Sequence, residues 1–283
     1  MTIDEKLAAI LAAVQTDPGN RGLARDPHDN LFTATAGQFQ AACRSIAEHP
    51  DPHVLIYTGF FIPNAEPPGF ETDGPSGAAF VSCGLLPLRI GCDLCTEPYV
   101  DLLIQDNFLQ DPRSPTHVLT IERPGPTGDG TFRTMRGTDI SHYHRDVHAM
   151  YEAVVATGVE TIGIGDGGNE IGMGNINAAT FAANISGDAA THCRVPTDYL
   201  IVAGVSNWGA YALVAGVAVL RNEPELVAYC FDPQKELDYL RSLTRYGKLV
   251  DGVTGRQEAT VDGLPWDVYA APLLRIREIL ELP

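Results

Sequence analysis

The sequence is short of basic charge. Nineteen Lys and Arg stand against 36 Asp and Glu among 283 residues, a formal net charge of −17. A field of that sign repels phosphate backbones and anionic lipid surfaces, so neither nucleic acid nor a membrane is expected as a partner. Long apolar runs are also lacking. The most apolar later stretch, WGAYALVAGVAVL at 208–220, falls well short of the roughly 20 residues that span a bilayer. The N-terminus, MTIDEKLAAILAAVQTD, carries acids where a secretory signal needs basic residues, so a cytoplasmic location is expected. The 6 cysteines are scattered, and Cys92-x-x-Cys95 has no second pair nearby, which leaves zinc and redox frameworks without support. No H-E-x-x-H string occurs. His142, His144 and His148 lie close together, and His144 and His148 would share a face of a helix, but polar helix-start residues explain them as well as ligands do.

No repeat, low-complexity tract or linker divides the chain, and 45% hydrophobic residues are enough for a proper core. Residues 1–283 are therefore read as a single α/β domain. Strand-like runs recur at 53–61, 85–90, 116–122, 160–165, 199–204 and 225–230. Helix-like segments lie at 36–49, 145–158 and 206–221. The N-terminal segment puts Leu7, Ile10, Leu11 and Val14 on one face of a helix, and DVYAAPLLRIREILEL closes the chain as another. Strands alternating with helices predict a mostly parallel mixed sheet flanked by helices. Ligands of such sheets collect at the carboxyl ends of the strands, where the loops after 53–61, 116–121 and 160–165 all bring acids. An acidic pocket is expected there.

The glycine-rich string TIGIGDGGNEIGMGNIN (161–177) concentrates the question. Gly163, Gly165 and Gly168 fit the spacing of a dinucleotide fingerprint, but the fingerprint needs a helix opening inside the loop, and further glycines disfavour one. Asp166 would also repel a pyrophosphate. A divalent cation resolves the conflict: Mn²⁺ or Mg²⁺ takes carboxylate and amide oxygens, and Asp166, Asn169 and Glu170 offer them from one tight loop. A glycine-rich turn with exposed acids is the plainer alternative.

Neighbouring strings add to this. In FETDGPSGAAF (70–80), Glu71 and Asp73 would face one side of an extended strand. Ser76 and the N–H groups at the start of the helix that follows suit a substrate carboxylate or phosphate. Glu122 at a strand end suits a metal or a base role, and Arg123 a grip on a carboxylate, unless the two form an ordinary surface ion pair. Asp251 and Asp262 could complete the pocket, but turns suit them better. Ser206 and Asn207 read as helix caps at the ligand edge.

Taken together, TGFFIPNAEPPGFETDGPSGA, IERPG with MRGTDIS, TIGIGDGGNEIGMG, SNWGAYAL, and DGVTG with TVDGLP resemble the D-glutamate cyclase family, formerly a domain of unknown function. The likeness runs from DPGNRGL at 17–23 to TVDGLP at 260–265, and is to the single-domain, bacterial-type members. It implies dehydration of D-glutamate to 5-oxo-D-proline in an acidic, cation-binding pocket of an α/β fold. Eukaryotic members carry a further N-terminal domain and a mitochondrial address, neither of which is seen in this sequence. A metal-dependent phosphohydrolase and a non-catalytic metal- or amino-acid-binding protein are the alternatives. The expected metal ligands are Glu71, Asp73, Glu122, Asp166 and Glu170, with Asp166 or Glu170 as base. Ser76, Arg123, Gly167, Gly168 and Asn169 are the expected substrate contacts. D-Glutamate is the expected partner, and the sequence leaves homo-oligomers open.

Overall fold

The chain begins with helix α1 (Ile3–Val14), followed by α2 (Leu31–Ala34), α3 (Gln38–Glu48) and strand β1 (His53–Thr58). A short antiparallel pair, β2 (Phe61–Ile62) and β3 (Gly69–Phe70), leads into α4 (Pro75–Leu85). Then come β4 (Gly91–Cys95), α5 (Pro98–Ile104), β5 (His117–Ile121), α6 (Ser141–Val155) and β6 (Glu160–Gly165). The remainder holds α7 (Ala178–Asn184), β7 (Tyr199–Val202), α8 (Ser206–Leu220), α9 (Pro233–Arg245) and α10 (Trp266–Ile279). This computed structural model describes residues 1–108, 113–187 and 189–282.

Five strands pair in parallel in the order β4-β1-β5-β6-β7. The chain leaves β1 for β4 on one side, then returns to the other side of β1 for β5. That reversal opens a crevice at the carboxyl ends of β1 and β5, where open α/β sheets bind ligands.

Strand side chains alternate between two cores. Val54, Ile56, Leu119 and Ile164 join the larger one with Val81 and Leu213, while Tyr57 and Val118 meet Val147 and Tyr151 of α6 on the other face. Helix α8 is buried from Ser206 to Val219 because α1, α3, α4 and α10 surround it, which explains why SNWGAYALVAGVAVL has no polar stripe. Helix α1 buries Leu7, Ile10 and Val14, and a reciprocal cap between Thr2 and Glu5 fixes its start.

Two expected strands are absent. The run 85–90 finishes α4 and continues as a 3₁₀ turn over Leu86–Leu88, so the strand starts only at Gly91; the run at 225–230 begins in another such turn, Pro224–Val227, and ends in the turn that follows it. Pro87 and Pro224 have no N–H to give a sheet ladder, and short apolar runs do not reveal their period. Cys92 and Cys95 are both free thiols on β4, three residues apart and so on opposite faces of the strand. No helix among the described residues is long and apolar enough to cross a membrane.

Candidate active site

Four loops at the carboxyl edge deliver acids to one place. Glu122 follows β5 directly, with φ of 43°, a left-handed conformation that costs a non-glycine residue on the order of 1 kcal/mol. Its N–H bonds Ile164 O at 3.2 Å, and its Oε2 accepts from Ser206 Oγ at 2.6 Å. Glu71 and Asp73 arrive differently from the expected shared strand face. Strand β3 ends at Phe70, Glu71 forms an isolated bridge with Val250, and Asp73 lies in the turn before α4. The Asp73 carboxylate accepts the N–H groups of Ser206 (3.0 Å) and Asn207 (2.8 Å) at the start of α8.

The loop after β6 opens no helix of its own, only a turn and the 3₁₀ segment Met173–Asn175. Its glycines serve close approach. A Cβ on Gly163 would sit 2.7 Å from Ile171 O, because the loop folds back over its own strand. Gly168 has φ of 116°, and with Gly167 it turns both amides onto Glu170, at 2.7 and 2.8 Å. Asn169 Nδ2 donates to Arg133 O at 2.8 Å, which points the amide oxygen the other way.

Two residues of the site were not legible as such. Asp17 accepts the N–H groups of Arg21, Gly22 and Leu23 and so shapes the loop that brings Arg21 into the acids. The Arg21 guanidinium pairs with Asp166, and with Asp262 at 2.5 Å. Asp262 thus belongs to the pocket, whereas Asp251 does fill a turn, accepting from Val253, Thr254, Thr260 and Gly263. The cavity is about 150 Å³, and its acids are Glu71, Glu122, Asp166, Glu170 and Asp262, with Asn169 beside them.

Burial, and then mutual repulsion, pushes the carboxyls of Glu71, Asp73 and Glu122 well above the usual carboxylate range. Burial raises Asp166 against the pull of Arg21, and raises Glu170 against its amide bonds. Asp262 is pushed up to about 7, again by burial, with Arg21 opposing. Burial works against the Arg21 charge, but Asp166, Asp262 and Glu122 outweigh it and hold that guanidinium firmly protonated.

Of the expected substrate contacts, Ser76, Arg123, Gly167 and Gly168 do not line the cavity. Ser76 Oγ donates to the buried Glu236 at 2.8 Å. The N–H groups of Gly74 and Gly77 at the start of α4 both donate to Asn207 Oδ1, so the expected anion cradle is filled from within. Arg123 is 1% exposed, with Nη1 2.7 Å from both oxygens of Glu97, and Nη1 and Nη2 also reach main-chain oxygens of Thr58 and His144. His144 completes this network, Nδ1 to Glu97 at 2.8 Å and Nε2 accepting from Phe61 N at 3.3 Å.

Two groups, Asp73–Asp166–Asp262 and Glu122–Asp166–Glu170, bring carboxylate oxygens within 4.8 Å of one another. Asp166 Oδ2, Asp262 Oδ2 and Asn169 Oδ1 are buried there without a hydrogen-bond partner. Hard oxygens with unused lone pairs, crowded in one cavity, fit a cation of the Mg²⁺ or Mn²⁺ kind.

A family model described as D-glutamate cyclase-like, C-terminal, matches residues 10–277. The chain belongs to the D-glutamate cyclase-like family. It is 30% identical over 331 aligned positions to the human protein named "D-glutamate cyclase, mitochondrial", covering 97% of this chain and 52% of that relative. It therefore spans about half the length of the curated relative it matches. Several strings that carry the family resemblance form the pocket: DPGNRGL brings Arg21, GIGDGGNEIGMG brings Asp166 and Glu170, and TVDGLP brings Asp262.

Proposed function

We propose that the chain is a D-glutamate cyclase, a carbon–oxygen hydro-lyase that converts D-glutamate to 5-oxo-D-proline and water with help from a divalent cation. The observation that carries this reading is the set of partnerless oxygens on Asp166, Asp262 and Asn169 in the buried acid pocket of a chain of this family.

In the reaction the α-nitrogen forms a bond to the carbon of the γ-carboxyl group, that carbon loses an oxygen, and the oxygen leaves as water with the two protons the ammonium gives up. The α-ammonium must first give up a proton, and the acids receive it. Asp166 belongs to both groups suited to a cation and Glu170 to one of them, so Asp166 is given to the cation and Glu170 the role of base. Glu170 is fixed by two amides, and burial lifts its carboxyl toward the pH at which a base works best. Glu71 accepts from the ammonium end, whose positive charge draws that buried carboxyl toward its ionised form. The walls hold the chain folded so that nitrogen and carboxyl meet, and much of the barrier to ring closure is removed in this way. A cation held with Asp166 as a common ligand, Glu122 and Asp262 flanking it, would polarise the γ-carboxylate and offset the negative charge of the pocket.

Phosphate-ester hydrolysis has less support, because the helix start that could cradle a phosphate is occupied by Asn207. A cytoplasmic location remains part of the proposal. A proton NMR time course with D-glutamate, with L-glutamate as control and with Mn²⁺ or chelator, tests the function. Signals of 5-oxoproline from the D form, lost with chelator, support it; no conversion with any divalent cation overturns it.

A further inference from the structure

A dicarboxylate entering a pocket of five acids needs a cation to hold its spectator carboxylate, and three arginines lie near enough to be considered. Arg123 is closed off by Glu97, and Arg21 by Asp166 and Asp262. The third is Arg136, which lines the same cavity from its mouth. Its Nη2 reaches only Val253 O, at 3.4 Å, and among the described residues it is paired with no carboxylate.

Arg136 is carried on a built turn. Gly137 N bonds Thr134 O at 2.8 Å, Thr134 N bonds Thr138 O at 2.9 Å, and Gly137 has φ of 81°, the left-handed position such a turn needs. Arg133, at the base, braces the turn through Gly137 O (3.1 Å) and Asp129 (2.8 Å). Asp139 ties the other strand to the start of α6 through Ser141 N at 2.9 Å. Phe132 and Ile140 are buried beneath. A turn held at both ends and presenting a cation without an acid partner to an acidic cavity is the arrangement of a carboxylate receptor.

The geometry points to Arg136 as the residue that binds the α-carboxylate of the substrate. The ammonium beside that carboxylate then faces the acids, and the γ-carboxyl is left to react. The substrate class follows: amino acids with a free α-carboxylate, not their α-amides. This inference rests on the proposed cyclisation and deepens it.

The test compares D-glutamate with its α-amide, D-isoglutamine, in the natural chain and in Arg136→Gln and Arg136→Lys. A charge-assisted hydrogen bond contributes a factor of about ten to a hundred, so the natural chain should prefer D-glutamate by that factor in kcat/KM. Arg136→Gln should reduce the preference to within a few-fold through a raised KM, and Arg136→Lys should restore part of it. A general loosening of the fold would weaken both substrates and leave their ratio unchanged. An unchanged ratio in Arg136→Gln overturns the inference. If the natural chain cyclises neither compound, the proposed function fails, and calorimetric binding of the two compounds decides for Arg136. Loss of the binding preference in Arg136→Gln would then support the inference. Equal binding of both compounds, or no binding of either, would overturn it.

Discussion

Arg21 and Asp166, 145 positions apart in the chain, are joined by an ion pair and by a bond from Arg21 Nη1 to the Asp166 carbonyl at 3.4 Å. The same guanidinium reaches Asp262, so one side chain supplies positive charge to two of the pocket acids. The fold tolerates that cluster partly because Arg21 sits in it.

Replacing Arg21 should therefore cost stability, and a cation should return some of it. Breaking a buried pair costs about 3–5 kcal/mol, and since Arg21 is 21% exposed the expected loss in Arg21→Met is about 1–3 kcal/mol. Urea unfolding in chelator measures it. Adding Mn²⁺ should narrow the gap between Arg21→Met and the natural chain; a gap that stays constant would separate Arg21 from the cation site.

Arg123 should be more costly. It is almost fully buried, and without it Glu97 keeps a charge inside the protein against only the hydrogen bonds of His144 and Thr96. Arg123→Met is expected to lose about 3–5 kcal/mol in urea unfolding. A loss below 1 kcal/mol would show that the network contributes little.

His144 gives the protein an acid-side weakness. Its Nε2 accepts a backbone N–H and its Nδ1 donates to Glu97, so the neutral ring is fully bonded and a second ring proton has no acceptor. Burial holds its pKa down to about 4 from the usual 6.5. Between those values the unfolded chain binds the extra proton and the native chain does not. Stability from this group is full above about 6.5 and is lost as pH falls toward 4, on the order of 3 kcal/mol. The pocket carboxyls, held high by burial, act with the opposite sign as pH falls. The reading is thus the difference between natural chain and His144→Gln. Melting curves from pH 7.5 to 4.5 should show that difference shrinking; a constant difference contradicts the assignment.

Gly252 tests the placement of Glu71. A Cβ there would lie 1.8 Å from Glu71 Oε2, so Gly252→Ala must displace that carboxylate, a flexible side-chain end that can move without breaking the fold. Expected are a melting temperature within a few degrees of the natural chain and a KM for D-glutamate raised several-fold, read in the cyclisation assay. An unchanged KM would remove Glu71 from the part of the cavity that receives the ammonium.

Much of this was legible in the sequence, for identifiable reasons. Buried parallel strands leave continuous apolar runs, so the runs 53–61, 116–122, 160–165 and 199–204 stood out and each holds a strand, and the acids that follow three of them reach one edge. The runs at 85–90 and 225–230 were misleading because apolarity without period does not distinguish a strand from a turn beside proline. Asp262 looked like any acid in a turn, since only the tertiary fold carries its loop to Asp166. Arg21 lies in a loop with no periodicity, and its string stood out only through family resemblance. Arg123 and Ser76 have suitable chemistry for a substrate contact, but strand-end position does not say which way a side chain points. In both cases a buried acid, Glu97 or Glu236, had already taken the bond.

The central claim is that the acids around Asp166 perform a cation-assisted ring closure. Its most direct test is a proton NMR time course of D-glutamate with Mn²⁺, run in parallel on the natural chain and on Asp166→Asn. This near-isosteric change keeps the shape of the site and removes the carboxylate common to both groups. The expected result is 5-oxoproline from the natural chain, and at least a hundred-fold less from a variant that melts as a folded protein, about 3 kcal/mol of lost barrier lowering. Equal rates from the two proteins would contradict the claim.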